Sequence, residues 1–140
     1  MSPTKLARVV ALLAGTLDFC TGLGLVFAPK LLLPLMRVTT PGEDALIYLR
    51  FVGAFVAAVG GSYLWALVRG GTERLRSTLE LTIIFRLLAG GYSSAAIVMG
   101  WLPIAWSSVP LTDFTLVCLQ FWLVKKLSSH DGHPPSSRSA

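Results

Sequence analysis

Three ionisable residues sit inside stretches that are otherwise apolar enough to lie in lipid: Asp18, Arg86 and Asp113. A fourth, Arg50, lies near the start of another such stretch. A charge at bilayer depth is costly, so it must be paired or belong to a site. A carboxylate can exchange a proton. An arginine stays charged and offers five N–H donors in a rigid fork. Together they could hold a polar headgroup, pass a proton, or lock helices in register. Other chemistries find less support. Ser93, Ser94 and Thr115 have no histidine base within any apolar stretch, which excludes a hydrolase-like nucleophile. His130, Asp131 and His133 could share a metal ion, but a flexible tail with two histidines more often holds none, and no metal or other cofactor is expected. The pairs Gly60–Gly61 and Gly90–Gly91 lack the strand and lysine of a phosphate loop.

The elements that carry these residues follow from composition. Hydrophobic residues make up 54% of the 140-residue chain, charged residues only 14%, and the mean hydropathy is +0.68. An ordinary soluble domain is about one-quarter charged. The expected fold is therefore all-α: a polytopic membrane protein with a four-helix transmembrane bundle, each span needing roughly 20 apolar residues. The net charge of +5 sits beside the apolar segments, where it reads as a topology and anionic-lipid signal; no nucleic-acid partner is expected.

The spans are expected at about residues 7–28, 45–68, 79–101 and 109–127, forming one domain over 1–127. The first apolar run is longer than a signal-peptide core and is followed by Pro29, so it reads as a retained span. Lys30 to Arg37, KLLLPLMR, is too short to cross and is expected to lie in the interface plane. Arg69 to Thr78, with two glycines and three arginines, reads as a basic turn, with Ser77 or Thr78 capping the third span. The fourth span starts either near residue 109 or near Ile104 with a kink at Pro110. Residues 128–140 read as a disordered cytoplasmic tail.

Small residues recur at helical spacing on the predicted spans: Gly15 and Gly22 on the first, Gly53, Ala57 and Gly61 on the second, and Gly90 beside Arg86 on the third. Such residues allow close helix approach within a membrane. Depth follows from the helix rise. Arg86 lies ten residues beyond Arg76, and Asp18 ten beyond Arg8; each is then about 15 Å from one surface. Asp113, twelve residues before Lys125, falls about 18 Å from the same surface. Arg50 lies nearer the other face, where it can snorkel toward Glu43, Asp44 or water. Formally, the two aspartates balance the two arginines. Lys5, Arg8, Arg69, Arg74, Arg76, Lys125, Lys126 and the tail's Arg138 share one side against Lys30 and Arg37, which predicts cytoplasmic N- and C-termini.

The segments DFCTGLGLVFAPKLLLPLM, YLRFVGAFVAAVGGSYL, FRLLAGG and LTDF are together similar to the small bacterial four-helix membrane proteins grouped as DoxX-like. The resemblance spans roughly residues 5–127, without the lysine-containing first-span pattern of DoxX proper. It implies a four-helix bundle in the bacterial inner membrane, acting as an accessory subunit of a redox or lipid-related system. Two functional expectations follow. One is a non-enzymatic accessory or assembly subunit whose partners are the lipid bilayer and other membrane subunits or a second copy. The other is a binder or carrier of a lipid or small hydrophobic ligand, with its pocket at the Asp/Arg cluster.

Overall fold

The protein, described by a computed structural model over residues 2–131, is an all-α bundle of four long helices and one short one. The order is α1 (Pro3–Phe27), α2 (Pro29–Leu35), α3 (Glu43–Arg69), α4 (Thr72–Val98), a 3-10 turn (Ile104–Ser107) and α5 (Ser108–Asp131). Four segments are long and apolar enough to cross a membrane, the last taking in the 3-10 turn. Many large apolar side chains point outward, among them Leu13, Phe51, Leu88 and Leu111. An outward apolar sheath of this kind suits lipid and not water.

Local chemistry accounts for most boundaries. Ser2 caps α1, its side chain accepting from the Lys5 amide, and Pro3 takes the first turn, where a missing N–H costs nothing. Pro29 opens α2 in the same way. Leu33 is fully buried in α2, while Leu31 and Leu35 stay exposed, so the short helix lies on the bundle end with one side in the core and one side out. Arg37, at φ 59°, turns the chain away from α2. Gly100, at φ 74°, does the same after α4, and the Trp101 amide closes back onto the Ala96 carbonyl.

The packing is organised in two antiparallel pairs, α1 on α3 and α4 on α5, with lighter contacts between the pairs. Glycine makes the first pair possible. A Cβ on Gly22 would fall on the Ala57 backbone nitrogen, and one on Gly60 on the Phe19 nitrogen. A Cβ on Gly15 would stand 2.7 Å from the Tyr63 Cβ, and one on Gly53 2.7 Å from the Leu25 Cβ. The stripe on α3 is therefore Gly53, Ala57 and Gly60. Gly61, expected on it, is half-buried, and a Cβ there would make only ordinary contact with the Phe19 ring. The spacing from Ala57 to Gly60 follows three-residue packing, and the adjacent glycine is turned aside by about 100°, one residue's rotation at 3.6 residues per turn. Between α4 and α5, Gly90 brings the Asp113 Cβ to 3.2 Å from where its own Cβ would be.

Both ends of α4 and the end of α5 differ from expectation, and the start of the fourth span follows one of the two alternatives. The turn between α3 and α4 is only Gly70–Gly71, and α4 begins at Thr72. Ser77 and Thr78 do not cap; their hydroxyls donate to the Glu73 and Arg74 carbonyls inside the helix. Leu75 and Leu79 bury along this added length, and Arg76 pairs with Glu80 at 2.8 Å. At its other end α4 stops at Val98, so Trp101 lies beyond the helix. The fourth span starts with the 3-10 turn at Ile104 and runs into α5, with Pro110 in the first α-helical turn, where it removes no interior hydrogen bond. Ser128–Asp131, expected in the tail, form the last turn of α5, and residues 132–140, His133 included, lie outside the described residues.

Candidate functional site

Asp18, Arg86 and Asp113 meet at the middle of the bundle, brought there by α1, α4 and α5. Arg86 donates from Nη2 to Asp18 Oδ2 at 2.5 Å and from Nη1 to Asp113 Oδ1 at 2.7 Å. Its third side, Nε, reaches the Tyr63 hydroxyl on α3 at 3.4 Å. One side chain thus bonds to all three other long helices. A guanidinium suits this role because its donors radiate in one plane, whereas an ammonium is a point charge. Arg86 is buried to 4% exposure and also lies against the Tyr63 ring, 5.9 Å from its centroid.

The network continues from Tyr63. The Gln120 amide on α5 donates to the same hydroxyl, and Gln120 is fully buried with Oε1 unpartnered among the described residues. Exchanging the amide's O and N would let Tyr63 donate to the carbonyl, but would strand the NH2 instead. Either way one end of this amide is left without a partner. Asp113 and Gln120 are seven residues apart, two turns on one face of α5. Nearby hydroxyls are already used: Thr82 donates to the Thr78 and Leu79 carbonyls, and Ser93 to those of Ala89 and Gly90.

Arg50 does not join this set. It is exposed on α3 thirteen residues before Tyr63, about 20 Å along the helix, and no described carboxylate lies within 4.0 Å of it. Glu43, a partner considered for Arg50, pairs with Lys30 at 2.5 Å. The charge balance read from the sequence therefore fails at the site itself. The bundle centre holds two carboxylates and one guanidinium, one formal negative charge in excess.

Apolar layers close the centre along the bundle axis. On one side Ala7, Ala11, Leu79, Leu123 and Leu127 form a core cluster, and on the other Leu25, Leu33, Val38 and Leu46 form a second. Laterally the bundle is less tight. Leu13, Ala14, Leu17, Leu111, Thr112 and Leu116 line an open groove of about 310 Å³ where α1 meets α5. Leu17 and Thr112 immediately precede Asp18 and Asp113, so the groove runs at the same depth as the carboxylates. These keep side-chain exposures of 15% and 11%, against 5% for Arg86.

Neutral polar members of the network are the part that charge-based reading misses. Tyr63 is completely buried. The signal for it was the spacing Ala57, Gly60, Tyr63. For Gln120 it was a lone amide two turns beyond an aspartate. No family model matches the chain, and no curated protein and no solved structure matches it.

Proposed function

We propose that the protein is a non-enzymatic membrane protein that binds a lipid or a small hydrophobic ligand in the α1/α5 groove, with the polar end of that ligand at the Asp18–Arg86–Asp113 cluster. The observation that carries this reading is the coincidence of the groove with the carboxylates in depth. A purely structural ion pair gains nothing from lateral access, whereas a binding site sealed above and below by apolar layers needs it. Native mass spectrometry of protein purified gently from its membrane tests the reading. A small amphiphile retained by the wild type and lost in Thr112→Trp, which fills the groove from an exposed position, is the expected result. A protein that carries no amphiphile and takes none up overturns it.

A second reading, an accessory or assembly subunit, draws on a different feature. Gly15, Gly22, Gly53, Ala57 and Gly60 are spent inside the α1/α3 pair, but Gly91 and Ala95 on α4 remain exposed one turn apart, and a Cβ on Gly91 would meet nothing. The DoxX-like resemblance of the sequence motifs, which implies an inner-membrane location, points the same way. Purification in mild detergent tests it, a stoichiometric membrane partner or second copy being expected and a bare monomer counting against it.

A further inference from the structure

The charge count at the bundle centre has a chemical consequence. Two carboxylates and one guanidinium leave one negative charge uncompensated. Among the described residues, each of the four long helices contributes a side chain to the cluster. The titratable or charged groups that face it are Asp18 from α1, Tyr63 from α3, Arg86 from α4 and Asp113 from α5. Gln120 adds a neutral amide, and no second cation reaches the centre. A net charge in hydrocarbon is strongly unfavourable, so the site must hold one further positive charge.

We infer that this site takes a monovalent lipophilic cation, an alkylammonium in chemical class, which enters through the α1/α5 groove and exchanges with a proton. This deepens the ligand-binding reading above and rests on it. In the empty site the surplus charge is neutralised by a proton on one of the two carboxyls. On binding, that O–H bond breaks, the proton leaves to water, and the ammonium N–H donors face the resulting carboxylate. Charge is conserved: one cation enters and one proton departs. The groove supplies the complementary part, since Leu13, Leu17, Leu111 and Leu116 present an apolar wall for an alkyl chain at the depth where the carboxylates stand. The hydroxyls of Thr112 and Thr115 are occupied by the Ser108 and Leu111 carbonyls, so the groove itself selects for hydrocarbon. An anionic headgroup is disfavoured, because two carboxylates already face the single guanidinium and would repel it.

The experiment uses the full chain in nanodiscs of neutral phospholipid, titrated with decylammonium and, separately, with decanol, in weakly buffered solution containing a pH indicator. Decylammonium is expected to bind with release of about one proton per molecule, and its affinity to rise about tenfold per pH unit over the range in which the site is protonated, as linkage requires. Decanol is expected to bind without proton release. In Asp113→Asn, where one carboxylate faces one guanidinium, ammonium preference and proton release should both disappear. Should that variant fail to fold, Thr112→Trp provides the second arm, with loss of both ligands expected. Decylammonium binding no tighter than decanol, or without proton release, overturns the exchange while leaving the groove as a ligand site. Binding of neither compound to the wild type overturns both readings.

Discussion

Arg86 and Asp18 lie 68 positions apart and belong to different helix pairs, yet they meet at 2.5 Å across the seam between those pairs. Arg86 and Asp113, at 2.7 Å, close the α4/α5 pair internally. One side chain thus serves two different junctions, within a pair and between pairs. Removing it should cost more than removing either acid, because Arg86→Met leaves two buried carboxylates with no cation between them. We expect a loss of about 3–5 kcal/mol, the usual range when one partner of a buried pair is deleted. Denaturant titration in detergent, followed by circular dichroism, measures it. The triple change Asp18→Leu, Arg86→Met, Asp113→Leu should recover most of that stability, since a buried pair adds little beyond a well-packed apolar set. A triple variant as unstable as Arg86→Met would contradict this account.

The glycines of the α1/α3 pair make a graded prediction. At Gly22 and Gly60 a methyl group would overlap backbone of the facing helix, which cannot move aside as a flexible side-chain end can. Gly60→Ala should therefore destabilise by about 1–3 kcal/mol, the range for overpacking. Its neighbour has room, and Gly61→Ala should be neutral or stabilising by up to about 1 kcal/mol through reduced freedom of the unfolded chain. Parallel thermal unfolding of the two variants compares adjacent positions directly. Equal effects would mean that the close approach of α1 and α3 is not what holds the pair.

This contrast also shows how far the sequence could be read. The four spans and the shared depth of Asp18, Arg86 and Asp113 were legible because helix rise is fixed and hydropathy needs no tertiary information. Which of two adjacent glycines faces the partner was not, since spacings of three and four both lie on one helix face. The start of α4 was obscured by Ser77 and Thr78, whose hydroxyls can cap a helix or bond back within one. Counting charges across all spans set Arg50 against the acids in a formal balance, although the helix rise already placed it nearer the other face and away from them. Tyr63 and Gln120 carry no charge to draw attention, and only the assembled bundle shows that they extend the site.

Tyr63 is the link between Arg86 and Gln120, so Tyr63→Phe should leave the buried Gln120 amide with neither end satisfied. A cost of about 1–3 kcal/mol is expected, typical of a stranded buried polar group. Gln120→Leu alone should be mild or even favourable, because it removes an amide that already has one unpartnered end. Combining the two should cost less than Tyr63→Phe alone. A double-mutant cycle in detergent reads the coupling. Strict additivity would show that the two side chains do not share one network.

The last prediction concerns orientation. The N-terminus of α1, the C-terminus of α3, the N-terminus of α4 and the C-terminus of α5 share one end of the bundle by antiparallel packing, and that end carries Lys5, Arg8, Arg69, Arg74, Arg76, Lys125 and Lys126. The other end holds Lys30 and Arg37 with Glu43 and Asp44. The positive-inside rule then puts the α3–α4 turn in the cytoplasm and the α2–α3 connection outside. Cysteine labelling in intact cells decides it. The native Cys20 and Cys118 are exposed on the outer surfaces of α1 and α5 and are first replaced by alanine. Thr39→Cys should then react with a membrane-impermeant maleimide in intact cells, and Ser77→Cys only after permeabilisation. The reverse pattern would invert the topology, and it would also place the basic turn and its lipid contacts on the outer leaflet.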